Sequence, residues 1–287
     1  MRNIENIVAT IDHIEAHLDE PLTLGTIAGK LGYSLYHIHH MFTKTVGIPI
    51  HTYIRRRQLT EAARLLVFTN TPIVDIALQA GYDSQQAFSS IFKSMYKLPP
   101  KRFRDHKEFY PLQMPFKFEE AMVRKNPEKR HSKQTITLAR EENIPEWMRL
   151  VQLVIDGFPC LNENEHIETL KRYIAQNRAF IMNDSGVTVG IMMISREAGN
   201  IDFLGVHPLY RNRNIANALF VKAMNELISH NKMSITTYRE GDKADTGYRN
   251  SLQEFGFAEG ELLVEFGYPT QKMTIVTDTL LKNIHNT

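Results

Sequence analysis

Two stretches of this sequence carry residue types at spacings that can do chemistry. In the first, Gly81-Tyr82-Asp83-Ser84-Gln85-Gln86-Ala87-Phe88, a glycine stop is followed by Asp83 and Ser84, residue types that start helices. Apolar residues at 88, 91, 92 and 95 then recur at the helical period and bury one face. Gln85 and Gln86 fall on the first exposed turn. A glutamine amide can bond N6 and N7 of adenine together in a major groove. In the second stretch, Phe203 to Ala216, a strand-like run ends in a proline turn at Pro208, passes Arg211 and opens a helix at Asn214. Backbone N–H groups left free at such a helix start cradle a pyrophosphate. The other reactive residue types read as structural. His13 and His17 have the i, i+4 spacing of a metal pair, but no Glu or Cys ligand set accompanies them, so they mark a solvated face and no metal is expected. Cys160 is the single cysteine; it excludes an intrachain disulfide, fits a reducing compartment and reads as a core thiol.

The glutamines need a helix held at a fixed height above its core, and the first half of the chain supplies it. Ile4, Ile7, Val8, Ile11, Ile14 and Leu18 form one stripe and predict a helix over 4–18. Two similar units follow, over 23–46 and 71–98. In the first, Thr23 caps a short helix containing Ile27, Ala28 and Leu31. Gly32-Tyr33 turns the chain, and Ser34 caps a longer helix with Ile38, Met41, Phe42 and Val46 inward. In the second, Thr71 is expected to cap, Pro72 to take the first helical position, and Ile73, Ile76, Ala77 and Leu78 to fill the short helix before Gly81-Tyr82 turns the chain. Between them Ile50–Phe68 reads as one connector helix, with Tyr53, Ile54, Leu59, Ala62, Ala63, Leu65 and Leu66 inside and Arg55, Arg56 and Arg57 partly outside. A short helix, a tight turn and an exposed second helix is the helix-turn-helix plan, here present twice in register.

These motifs, Gly32-Tyr33-Ser34, Met41-Phe42, Asp75-Ile76-Ala77, Gly81-Tyr82-Asp83-Ser84-Gln85-Gln86, Phe92-Lys93 and Pro99-Pro100, make residues 4–108 resemble the DNA-binding domain of the AraC/XylS regulators. The likeness is greatest to the stress-response branch that holds the multiple-antibiotic-resistance and right-origin-binding regulators. The resemblance implies seven helices, binding as a monomer, and two recognition helices entering adjacent major-groove turns on one DNA face. It carries base reading to Tyr36, His39 and His40 on the first recognition helix and to Gln85, Gln86, Ser89 and Ser90 on the second. Lys44, Arg55, Arg56, Lys93, Lys101 and Arg102 become phosphate contacts, which position the protein without specifying sequence. The branch has Trp, Gln and Arg where this chain has Tyr36, His39 and His40, and Arg where it has Ser90. Arginine is the usual guanine reader, so a different operator and weaker direct readout are expected.

Beyond residue 109 the pattern changes. Tyr110 to Phe118 alternates apolar and polar around two prolines and reads as an edge segment, and 123–133 as an exposed charged hinge, so 110–133 is expected to be a linker. Residues 134–287 read as an α/β layer fold. Strands are expected over 134–139, 179–183, 188–195, 201–206, 233–239, 262–267 and 272–277, and helices over 144–158, 163–177, 214–229 and 244–255. The junction Val206-His207-Pro208-Leu209-Tyr210-Arg211-Asn212-Arg213-Asn214-Ile215-Ala216 resembles motif A of the GNAT (GCN5-related) N-acetyltransferases, Val-x-Pro-x-x-(Arg/Gln)-x-x-Gly-x-(Gly/Ala), and Gly256-Phe257 stands where that family has a Gly-Phe. The resemblance implies an acetyl-CoA or CoA site formed by Leu204, Val206, Arg211, Asn212, Arg213, Asn214 and Ala216. This chain has Asn212 and Asn214 where the family has glycines, and Leu252 at the position of its general-acid tyrosine. Tyr248, one turn earlier, and Asp202, on the strand before the motif, are the weak catalytic candidates that remain.

The chain of 287 residues has the material for two cores, with no apolar run long enough to span a membrane and no signal peptide. Its net charge of +2 conceals an asymmetry: residues 1–110 hold 13 Lys/Arg against 10 Asp/Glu, 111–133 hold 6 against 3, and 134–287 hold 15 against 19. The basic end is the end that carries the helix-turn-helix units, a mild polyanion footprint. The expected fold is therefore an all-α N-terminal domain over 1–109 and an α/β GNAT-like domain over 134–287 with a mostly antiparallel mixed sheet. The expected function is a cytoplasmic bacterial transcription regulator, nucleoid-associated when bound. It would bind a double-stranded DNA operator, work with RNA polymerase and sense a small molecule or acyl-CoA, with no cofactor required. The alternatives are a working N-acetyltransferase fused to a DNA-binding domain, and an architectural DNA binder without sequence choice.

Overall fold

Residues 2–20, 22–118, 134–157, 160–211, 214–227 and 232–276 are described by a computed structural model, in which the chain divides into two units, Met1–His131 and Ser132–Thr287. Among the described residues seven helices build the first: α1 (Arg2–Ala16), α2 (Leu24–Leu31), α3 (Leu35–Val46), α4 (Ile50–Phe68), α5 (Ile73–Gln79), α6 (Gln85–Tyr96) and α7 (Pro100–His106). Short polar side chains set their starts. The Thr23 hydroxyl accepts from the Thr26 amide at 3.1 Å, Ser34 from His37 at 3.2 Å and Ser84 from Ala87 at 3.2 Å, each cap being worth about 1 kcal/mol. The two helix-turn-helix units turn alike: Gly32 and Gly81 take left-handed backbone (φ 70° and 78°), and the next amides, Tyr33 and Tyr82, donate back to Ala28 and Ala77. That conformation is open to glycine at no steric cost, which is why the same residue recurs.

Four expectations need correction here. Pro72, not Thr71, occupies the N-cap of α5, and the Thr71 amide instead donates to the Thr69 hydroxyl at 3.3 Å. Leu78 is exposed, because a seven-residue helix has room for only one inward stripe, filled by Ile76 and Ala77. Arg56 and Arg57 are buried in α4 rather than partly outside. Among the described residues, 110–118 pair with no strand; they pack along α4, where the buried Thr60 hydroxyl accepts from the Leu112 and Gln113 amides (3.1 and 3.2 Å). Arg56 Nη2 donates to the Leu112 carbonyl, Arg57 Nη1 to the Gln113 carbonyl, and Leu112 and Phe116 are buried. Arg57 is also held by Glu15 of α1 at 2.7 Å. Arg56, Arg57 and Thr60 of this connector helix are therefore spent on its own neighbours, and Arg56 is not available to phosphate.

The second unit is a seven-stranded sheet in the order β1-β2-β3-β4-β5-β7-β6. The strands are β1 (Gln134–Leu138), β2 (Ala179–Asp184), β3 (Val187–Ser195), β4 (Asn200–Val206), β5 (Lys232–Tyr238), β6 (Ala258–Glu265) and β7 (Tyr268–Val276). All pairs are antiparallel except β4–β5, which is parallel and paired only at Asn200↔Ser234 and Ile201↔Ile235. Beyond those two residues the strands run on unpaired with each other to Val206 and Tyr238, leaving a split in the sheet. Helix α8 (Ile144–Val154) lies on one face and buries Trp147, Leu150, Val151 and Val154, about 1.5–3 kcal/mol each. Consecutive residues of β3 point to opposite faces. Ile191 thus meets the α8 side with Val154, while a Cβ at Gly190 would come within 2.9 Å of Ile215 and Leu219 of α10 (Ile215–Glu226) on the other. Helix α9 (Glu163–Ala175) follows α8 in the chain. Helix α11 is Tyr248–Glu254, shorter than the expected 244–255, because Asp242 and Asp245 side chains accept from the Ala244, Gly247 and Tyr248 amides and hold the preceding residues in turns. Strand β6 ends at Glu265, before a tight turn in which Phe266 and Gly267 both have positive φ.

Candidate nucleic-acid interface and ligand cleft

Two helices of the first unit present their opening turns to solvent. On α6, Gln85, Gln86 and Ser90 are exposed and Ser89 is half-buried against the core. On α3, Tyr36 is 80% exposed and stacks on exposed His40, ring centroids 5.8 Å apart and planes 5° off parallel. His39 is half-buried and stacks on His51 of α4 at 6.2 Å. His51, which sequence reasoning missed, joins this face across the α3–α4 turn. Burial, then the neighbouring Arg55 and His39, hold its pKa below the ordinary imidazole value. Lys44, Arg55, Lys93, Lys101 and Arg102 are exposed. Arg56 is 1% exposed and must be removed from the expected phosphate contacts; it lies on the inward stripe with Tyr53, Thr60 and Ala63.

In the second unit the pyrophosphate motif runs from the end of β4 to the start of α10. Leu204, Val206 and Ala216 are half-buried against the core that Ile215 and Leu219 fill. Asn214 takes left-handed backbone (φ 56°), and its own side chain makes no cap bond to the helix start. Asparagine tolerates that conformation better than other non-glycine residues, which is how the loop forms without the family's glycine. Asn212 and Arg213 lie outside the described residues. Arg211 turns inward: its Nη2 donates to the Tyr248 hydroxyl at 3.1 Å and lies 3.6 Å from Asp156 Oδ1. What the described motif offers an acyl-CoA is thus the backbone at Asn214, not the arginine.

The two catalytic candidates enter different networks. Asp202 is exposed and accepts from the Tyr173 hydroxyl at 2.9 Å and the Asn200 amide at 2.7 Å. Burial, and then the bond to this carboxylate, push the Tyr173 phenol up to about 12. Tyr248 bonds Arg211 and donates to Asp156 at 3.4 Å. Asp156, just beyond α8, went unnoticed in the sequence. It is fully buried, accepts from the Thr246 hydroxyl at 2.7 Å, and its carbonyl accepts from the Tyr238 hydroxyl at 2.9 Å. Partners at 211, 238, 246 and 248 leave no local pattern around an Asp-Gly after a helix.

Beside this network lies an open cleft of about 330 Å³, on the side of the sheet where Met193 and Phe203 meet α9. Its lining comes from the segment after α8, from α9, from β4 and β5 where they part, and from the β6–β7 turn. His166 of α9 lines it while its Nε2 accepts from the Trp147 indole at 3.0 Å, and burial pushes its pKa down to about 4. The ring is therefore neutral over the physiological range.

Comparison with known proteins fits both units. Residues 27–106 match a family model described as a helix-turn-helix domain, and residues 156–276 one described as an acetyltransferase (GNAT) domain. Over 96 residues the chain is 44% identical to the transcriptional regulator Rob of Salmonella typhimurium, covering 33% of this chain and 33% of Rob. Over 105 residues it is 37% identical to the multiple antibiotic resistance protein MarA of Salmonella typhimurium, covering 36% of this chain and 83% of MarA. The chain thus spans about a third of the length of Rob and most of MarA. A GNAT-family acetyltransferase structure from Bacillus cereus aligns with 50% of this chain and 97% of its own, at 15% identity and a TM-score of 0.39. By its helical unit the chain belongs to the AraC-type helix-turn-helix family, and to that unit is joined a C-terminal GNAT acetyltransferase domain.

Proposed function

We propose that this protein is a transcription regulator that reads DNA sequence with α3 and α6 and whose GNAT domain serves as an effector sensor. The observation that carries the reading is the pair of capped, solvent-open helix starts with amide, hydroxyl and imidazole side chains on their outer faces, joined by one rigid helix. Exposed Lys44, Arg55, Lys93, Lys101 and Arg102 supply the sequence-independent attraction to phosphate. The partners are then a double-stranded DNA operator, RNA polymerase and a small effector, with acyl-CoA as one candidate effector. The control is a population shift: an effector that binds two states unequally changes operator affinity by that difference. Selection from a random duplex pool with the full chain tests the first half of the reading. A consensus with two major-groove elements about one helical turn apart is expected. Recovery of unrelated sequences would favour a DNA binder without sequence choice and overturn the reading.

Two observations support sensing over catalysis. Arg211 is committed to Asp156 and Tyr248, and the family's general-acid position holds buried Leu252. A working acetyltransferase has one observation in its favour, the Tyr248 hydroxyl held 3.1 Å from Arg211. Release of free CoA from acetyl-CoA over a panel of amines separates the two. No turnover is expected of a sensor, whereas turnover that disappears in Tyr248→Phe would establish the enzyme.

A further inference from the structure

The opening turns of α3 carry a side-chain set unlike that of α6. From Leu35 to Thr43 the helix has no Arg, Lys, Asn, Gln, Asp or Glu, and Lys44 is the first residue of those types. The paired bonds that read guanine come from arginine or lysine, and those that read adenine from a side-chain amide. An imidazole does not replace them, because its two ring nitrogens point away from each other and meet a base edge one at a time. His37, His39 and His40 therefore give α3 single hydrogen bonds, which several bases can share.

What α3 presents instead is apolar surface. Leu35 is 52% exposed and Tyr36 80% exposed, both in the first turn, the end at which a recognition helix meets base edges. The other large apolar residues of the helix, Ile38, Met41, Phe42 and Val46, are buried in the core. The Tyr36 ring is also held in place. His40, one turn on, stacks on it with centroids 5.8 Å apart and planes 5° off parallel, inside the range of an offset-stacked pair. A ring steadied in this way has less rotamer freedom left to lose on binding.

The apolar group on the major-groove edges of the base pairs is the C5-methyl of thymine, and apolar side chains read it by contact. We propose that α3 reads its half of the operator through thymine methyl groups, with Tyr36 and Leu35 as the contacts and His40 as the positioning residue behind the Tyr36 ring. This rests on the reading of α3 and α6 as the two DNA-reading helices and gives the α3 half-site its base class. The two halves then differ in kind, with amide bonds to adenine under α6 and apolar contact with thymine under α3.

The test uses the full chain and the consensus selected from a random duplex pool. Each thymine of the two major-groove elements is replaced, one at a time, by 2′-deoxyuridine, which removes the methyl group and keeps every hydrogen-bonding atom. Losing one buried methyl contact is expected to weaken binding about fourfold. Such losses should cluster in one element, the one whose base preference Gln85→Ala leaves intact. Tyr36→Ala should bind the thymine and uracil duplexes alike, and His40→Ala should narrow the difference between them. That ratio is not moved by a general loss of folded protein, and circular dichroism checks the helix content of both variants. A consensus with no thymine in that element, uracil duplexes bound as tightly as thymine ones, or a uracil penalty that survives in Tyr36→Ala would each overturn the proposal and leave the two-helix reading standing. An unchanged ratio in His40→Ala would overturn its positioning role. A selection that returns no consensus removes the two-helix reading, and the proposal with it.

Discussion

Gln85 and Gln86 sit on the opening turn of α6 with their amides in solvent, so replacing them perturbs nothing inside the fold. A good bidentate side chain–base pair discriminates against the wrong base by about 1–3 kcal/mol. Gln85→Ala and Gln86→Ala are therefore expected to flatten the preference for one base position each, by about 5- to 150-fold, and to leave melting temperature unchanged. Binding arrays that return the same ranking of sequences would contradict this. Lys93→Ala should instead weaken all sequences alike and lower the salt dependence by roughly one unit of slope. His51 adds a pH dependence of definite sign. Burial, then Arg55 and His39, hold its imidazole below the ordinary value of 6.5 in the free protein. A nearby phosphate favours the protonated ring, so its pKa rises on binding. The added affinity is complete below the free-protein pKa and is lost as pH rises through the bound-state pKa, so affinity should be higher at pH 5 than at pH 8. Identical dissociation constants at the two pH values would exclude a protonated histidine from the interface.

Elements were legible where a local period or a cap defines them. The stripe Ile38, Met41, Phe42 and Val46 places α3, and Ser34 and Ser84 place two helix starts, because each signal acts over three or four residues. The helix start at Asn214 was legible for the same reason. Illegible features depend on partners far away in sequence. Nothing near Asp156 announces Arg211, Thr246 and Tyr248, and nothing near His166 announces Trp147. Arg56 and Arg57 misled because arginine is usually a surface residue; here carbonyls at 112 and 113 and the Glu15 carboxylate hold them inside. Gly190 is a middle case, visible as a strand glycine but not as a contact. Ile215 and Leu219 press onto it, so the α10 helix sits on β3 as closely as a missing Cβ allows. Gly190→Ala forces the Ile215 and Leu219 side chains to shift and should destabilise the GNAT domain by about 1–3 kcal/mol, the usual cost of overpacking. Denaturant unfolding followed by Trp147 fluorescence reads it, and an unchanged midpoint would show that the helix yields freely.

At the scale of the molecule, the limit of the DNA-binding unit is set by hydrogen bonds that composition hides. Alternation around Pro111 and Pro115 makes residues 110–118 look like the start of a connecting segment. In the fold they close the α4 side of the helical core instead. Leu112 and Phe116 are each 4% exposed, the Thr60 hydroxyl accepts from two of their amides, and Arg56 and Arg57 find two of their acceptors there. A chain cut at 109 loses two buried apolar side chains, about 1.5–3 kcal/mol each, and leaves buried guanidinium groups short of partners. One kcal/mol shifts the melting temperature of a domain this size by about 4–8 °C. Residues 1–109 alone should therefore melt at least about 12 °C below residues 1–118. Because α4 sets the spacing of the two reading helices, the shorter fragment should also bind a selected duplex more weakly, while 1–118 keeps its ranking of sequences. Calorimetry on the two fragments decides the point: equal melting temperatures would return 110–118 to the linker and leave the buried arginines of α4 without a structural reason for their place.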